Sequence, residues 1–218
     1  MKNSILIIVL ALTQMVCAQT TTTTYSPKDM GSQIYTFSNL ADDQFTLNWE
    51  MAMPYANGYL EETSYSGGRM DYRHFTSESI AVGVSLGWNS YDEYSEKQLY
   101  EKEDGSSAIY SDAVRHLYTL PMAVNAYYYI YRQNLRPYLG IGIGAQYSEQ
   151  TTYFNIYGIS ESSWGFLVKP EVGLQYEFSD TFGLTAYAAY SYATNQSDAF
   201  KIDELTSLGI GVGAYWEW

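Results

Sequence analysis

Eight stretches of the chain alternate apolar and polar residues with a period of two, and no other feature narrows the possible folds as far. In a strand successive side chains point to opposite faces, so such a stretch reads as a strand with one apolar face. The first sets Phe45, Leu47, Trp49, Met51 and Met53 against Thr46, Asn48, Glu50 and Ala52. The pattern returns over residues 67–75, 80–91, 116–131, 138–149, 164–178, 182–193 and 206–218. Each stretch supplies the ~9–11 residues that a tilted strand needs to cross a bilayer. The connections alternate in length. Long polar ones fall at 56–66, 92–110, 150–163 and 194–205, and short ones at 75–79, 131–136 and 179–181. Long loops at one end and tight turns at the other are the pattern of an all-β, antiparallel, up-and-down transmembrane barrel with its short turns in the periplasm. Pro121 and Pro170 fall inside strands, where each removes a ladder donor, and a local bulge is expected at both.

Side-chain size decides which face points inward. Gly, Ala, Ser and Tyr crowd the polar face, as a narrow, filled interior requires. The apolar face is bulky and carries Trp49, Tyr55, Trp88, Tyr128, Trp164, Tyr176, Trp216 and Trp218 towards the strand ends. Aromatic residues at both rims match the interface girdles of a membrane barrel rather than a soluble barrel, whose apolar face points inward.

Lys2, the apolar run Ile5 to Leu12 and the exit Val16-Cys17-Ala18 form the three parts of a signal peptide, with cleavage after Ala18. That run is too short to span a bilayer. The organisation expected is therefore a signal peptide at 1–18, a polar periplasmic segment at 19–43 and a barrel at 44–218. Cys17 is the only cysteine, so the exported chain forms no disulfide and has no thiol chemistry. The formal charge is −13, which argues against nucleic acid as a partner.

Three stretches carry a family resemblance. They are Gly67 to Trp88 (GGRMDYRHFTSESIAVGVSLGW), Leu120 to Gly144 (LPMAVNAYYYIYRQNLRPYLGIGIG) and the end, Gly213-Ala-Tyr-Trp216-Glu-Trp218. The chain resembles the small outer-membrane β-barrel proteins of Gram-negative bacteria over about residues 44–218. The resemblance implies the eight-stranded fold and the outer membrane as location. It also implies that Gly213, Trp216 and Trp218 form the signal read by the barrel-assembly machinery. The family is functionally mixed, so no activity follows from it.

Candidate chemistry is sparse. The two histidines, His74 and His116, fall on the lipid face near a rim, and neither has a carboxylate at a spacing that suggests a dyad. The lumen-side charges are Glu50, Arg69, Asp71, Arg73, Lys169, Glu171, Glu177 and Glu217, three bases against five acids. They read as a paired network filling an eight-strand interior, with Glu50 and Asp71 as partners of Arg69 and Arg73. A proton or ion path is the other reading. The acidic stretch 92–110 lacks the spacing of a calcium loop and reads as a solvated loop, with bridging to lipopolysaccharide through divalent cations as the alternative. No cofactor or metal site is expected. The function expected is a non-enzymatic outer-membrane barrel with a structural role, or a role in contacting an extracellular ligand through its loops. A narrow, porin-like channel and a lipid-modifying enzyme are the alternatives. Outer-membrane lipid, lipopolysaccharide and the assembly machinery are the expected partners.

Overall fold

A computed structural model describes residues 42–55, 59–101, 108–132, 134–154, 157–197, 200 and 202–218. The signal-peptide reading, its cleavage at Ala18 and most of the segment 19–43 lie outside these residues. The described chain forms eight strands and no helix: β1 (Asp43–Tyr55), β2 (Ser64–Phe75), β3 (Ile80–Glu101), β4 (Ala108–Tyr129), β5 (Leu135–Phe154), β6 (Tyr157–Ser179), β7 (Phe182–Ala193) and β8 (Leu205–Glu217). Each strand pairs antiparallel with the next, and β8 pairs with β1, which closes the barrel. Closure removes both sheet edges, as a strand-built membrane span requires.

The two faces separate by residue type. On β1, Gln44, Thr46, Asn48 and Glu50 are buried inside, while Leu47 and Trp49 point out. Val84, Val124, Ile143 and Val172 are at least half exposed on the outer surface, where lipid takes the place of water. Phe45 and Tyr55 lie ten residue steps apart on β1, which corresponds to ~33 Å along the strand and ~25 Å of membrane depth at the usual tilt. That is the height of the apolar band in this class of barrel.

The prolines produce no bulge. The β3–β4 ladder lapses between Leu86↔Met122 and Asn89↔Thr119 and resumes in the same register. The β6–β7 ladder does the same between Val168↔Tyr192 and Glu171↔Ala189. Each proline keeps its place in the pairing with β5, as Pro121↔Gln146 and Ile141↔Pro170. A missing N–H removes a bond on one side only, and a closed barrel supports every strand from both sides. The register shifts fall elsewhere, at Glu50/Ala52, Ser95/Gln98 and Glu177/Ser179.

The stretches 92–110 and 150–163 are not simple loops. β3 continues to Glu101 and β4 starts at Ala108, while β5 and β6 meet at Phe154↔Tyr157. β2 leaves β3 at Gly68↔Trp88, and β7 leaves β6 at Leu167↔Ala193. Beyond those points β3–β6 rise as a four-stranded wall above one side of the closed barrel. The alternation is weak in these stretches because the outward face meets water and the inward face is polar as well, with Ser111, Ser148, Gln150 and Thr152 buried on it, so polarity there does not report secondary structure.

Candidate functional site

The bore is filled in tiers. At the periplasmic end, Arg136 Nη1 donates to both oxygens of Glu217, at 2.7 and 2.9 Å, and Arg136 Nη2 pairs with Glu177. Gln44 Nε2 donates to Glu217 at 2.8 Å, and Gln175 Nε2 donates to Gln44 Oε1 at 2.9 Å. Arg132 lies 3.8 Å over the Phe75 ring and 3.9 Å from Glu217.

One tier up, Arg73 has no exposure. Its guanidinium lies 3.8 Å over Tyr127 and 4.7 Å over Tyr138, and it donates to Tyr129 Oη at 2.9 Å. Arg69 donates to Asp71 at 3.0 Å and to Glu171 across the bore at 2.7 Å, with Tyr187 3.7 Å beneath it. Tyr127 and Asn48 also donate to Asp71, at 3.2 and 3.1 Å.

Higher still, Glu50 accepts from Tyr187 Oη at 2.6 Å, from Asn89 Nδ2 at 3.2 Å and from Lys169 Nζ at 3.4 Å. The expected pairing of Glu50 with an arginine is therefore corrected: its cation is Lys169, and Glu171 takes Arg69. Asp71 keeps Arg69 at 3.0 Å and meets Arg73 only at 4.0 Å. Opposite charges on neighbouring strands need not point at each other when a bore only one side chain deep offers partners across it.

The sequence reading also missed two bases. Arg132 and Arg136 fall in the short connection 131–136 by sequence, yet both enter the lumen and balance its acids five to five. The signal was available for Arg136, which shares the inward face of Tyr138 and Gly140 on β5. Space for the large rings comes from glycine. A Cβ on Gly173 would sit 2.3 Å from Tyr138 Cζ, and one on Gly211 would sit 2.3 Å from Tyr187 Cζ.

Above Glu50 the filling becomes apolar. Tyr59 and Leu60, from the β1–β2 connection, are buried with Tyr91, Leu117, Leu167, Ile202 and Leu205, and Phe200 packs against them. Tyr59 Oη bonds the Thr151 carbonyl at 3.2 Å and Thr152 Oγ1 at 3.0 Å, and its ring lies 5.1 Å from that of Phe200. Glu93 accepts from the Glu61 backbone N–H at 2.6 Å, and Arg115 donates to the Tyr59 carbonyl at 3.1 Å. Two connections thus fold into the mouth as a plug. Between plug and charges remains a void of ≈ 20 Å³ beside Glu50 and Asn89, about the room for one water.

The histidines do have carboxylates. His74 Nδ1 is 2.9 Å from Asp43 Oδ1, and His116 Nδ1 is 2.6 Å from Asp92 Oδ1. Both pairs are directly opposed across strands, Asp43↔His74 and Asp92↔His116, so register creates what linear spacing hides. Both remain on the outer face, as parity places them. Among the described residues no group of three or more His, Cys, Asp or Glu side chains converges to hold a metal, and part of the acidic stretch, 102–107, lies outside them. Gly213, Trp216 and Trp218 lie on β8 and just past it. Trp216 lies between Phe45 and Phe182 at 6.4 and 5.7 Å, and Trp218 exchanges backbone hydrogen bonds with Asp43.

The family model for the outer membrane protein beta-barrel domain matches residues 4–215. Among solved structures, the chain is similar to Ail, the attachment invasion locus protein of Yersinia pestis, in complex with the heparin analogue sucrose octasulfate, at 18% identity. That match covers 81% of this chain and 97% of Ail, with a TM-score of 0.52. Neisserial surface protein A is similar at 14% identity, covering 82% of this chain and 98% of that one, with a TM-score of 0.53. At these identities the likeness is one of fold. No curated protein matches the chain.

Proposed function

The chain belongs to the outer membrane protein beta-barrel domain family, and on that premise we propose that it is a non-enzymatic, non-conducting barrel of the bacterial outer membrane that presents its β3–β6 wall to a partner outside the cell. The observation that carries this reading is the contrast between a bore blocked twice, by paired charges and by a plug, and a wall that runs well past the point of closure. The outer face of the wall exposes Tyr94, Tyr110, Tyr153 and Trp164, with Asp92, Glu96 and Glu149 among them. Exposed tyrosine and tryptophan are the anchors that protein interfaces favour. Ail is seen with a polyanion, but acidic groups among these aromatics suit a basic protein surface instead. The Asp–His pairs face outward, and among the described residues no serine or cysteine is bonded to either imidazole, which supports a role other than catalysis. Outer-membrane lipid and lipopolysaccharide surround the barrel in this reading, and the Trp216–Trp218 end is what the assembly machinery engages.

The test has two arms. The unmodified protein in a planar bilayer is expected to give no steady conductance; large, stable channels would instead favour the solute channel. Removing residues 96–110 is expected to leave the barrel folded, judged by heat-modifiable gel migration, and to abolish binding of cells to immobilised basic proteins. Unchanged binding would count against the wall.

A further inference from the structure

The outer surface of the barrel, away from the lumen and the wall, carries an apolar groove of ≈ 520 Å³. Two outward-facing rows form it. One runs along paired positions through Phe45, Tyr72, Val84, Val124 and Ile143, and the next includes Met70, Leu86 and Met122. The first row crosses five strands, or four interstrand spacings of ~4.8 Å, giving a length of ~19 Å. The groove runs across strands tilted by ~40°, so its ~19 Å length covers only ~12 Å of depth, less than one leaflet of a hydrocarbon core ~30 Å thick. The leaflet is the periplasmic one, because β1 and β2 meet their short-turn ends here.

The lower end of the groove is polar. Tyr72, which lines it, donates to Asp43 Oδ1 at 2.5 Å, and His74 Nδ1 meets the same oxygen at 2.9 Å. Among the described residues Asp43 Oδ2 makes no hydrogen bond. Asp42 is exposed beside it. A carboxylate fixed by two neighbours, with one oxygen still open at the membrane interface, suits a cationic donor. A second outer groove, of ≈ 360 Å³ along Pro170, Val172, Ala188, Tyr190 and Leu208, has no outward-facing charged side chain.

We propose that the groove seats an acyl chain of a periplasmic-leaflet phospholipid whose primary-ammonium headgroup is held by Asp43. The occupant follows from position and charge: lipid is the solvent this face meets, and the groove ends at Tyr72, whose hydroxyl holds the acid Asp43 beside it. Phosphatidylethanolamine has the required headgroup and phosphatidylglycerol lacks it.

The experiment uses the full chain, folded into vesicles containing equal amounts of the two lipids, then extracted and weighed by native mass spectrometry. One retained lipid per barrel is expected, with phosphatidylethanolamine enriched about tenfold, the worth of one charge-assisted hydrogen bond. Asp43→Asn is expected to remove the preference. Val84→Trp, which fills the groove, is expected to remove retention, while Ala188→Trp in the second groove leaves it intact. Heat-modifiable migration identifies the folded variants, and the competition on unmodified protein needs none of them. Equal retention of the two lipids, no retained lipid, or undiminished retention by folded Val84→Trp would overturn the proposal.

Discussion

Glu50 gathers four strands at one carboxylate. It stands on β1 and accepts from Asn89 on β3, Lys169 on β6 and Tyr187 on β7. Removing one partner of such a buried group leaves the others without theirs, at a cost of ~3–5 kcal/mol. Glu50→Ala is therefore expected to lower the urea midpoint of the vesicle-inserted barrel, followed by its gel shift. Glu50→Gln keeps an acceptor for Tyr187 and is expected to lose less. Gly211→Val is expected to cost ~1–3 kcal/mol by the same assay, because its side chain meets the Tyr187 ring. Its effect and that of Glu50→Ala converge on Tyr187, so the double variant is expected to be less than additive. Which residues face the bore was legible in the sequence, since parity alone places Glu50, Arg69 and Lys169. Who pairs with whom was not. Glu50 and Lys169 are 119 positions apart, and their meeting is set by bore width and strand stagger, which no local pattern encodes.

At the level of elements, the eight strands were readable wherever one face meets lipid and the other a polar lumen. Above the membrane that contrast disappears, which is why Asp92 to Glu101 read as loop although they continue β3. The plug was hidden for a different reason. Tyr59 and Leu60 lie in a connection with no periodicity, and only the closed barrel supplies the cavity they enter. Burial pushes the Tyr59 hydroxyl above its ordinary pKa. The seated loop thus prefers the neutral phenol. Its stabilisation is complete below the unfolded value of ~10 and is lost as pH rises through the higher folded one. Protease nicking within residues 56–63 is expected to increase above about pH 10. Tyr59→Phe is expected to abolish that step while nicking faster at neutral pH, because its bonds to Thr151 and Thr152 are gone.

For the whole molecule, closure is the event on which everything else depends. The seam between β1 and β8 is fastened at its periplasmic end by Trp216 against Phe45 and Phe182. Aromatic pairs contribute ~0.5–1.5 kcal/mol each, so Trp216→Ala, which loses one pair across the seam and one to β7, is expected to destabilise the barrel by ~1–3 kcal/mol. The measurement is the fraction of heat-modifiable barrel after refolding into vesicles, and an unchanged fraction would show that the seam closes without it. The wall gives the cylinder a front and a back. A partner held there sits beside the barrel axis, and any drag on it is transmitted down β3–β6 along the strand direction. That load shears many ladder bonds at once instead of peeling them one by one. On the proposed reading, a grip of this geometry would resist flow far better than a loop tip of equal affinity, because tension on the partner runs along the strands of the wall.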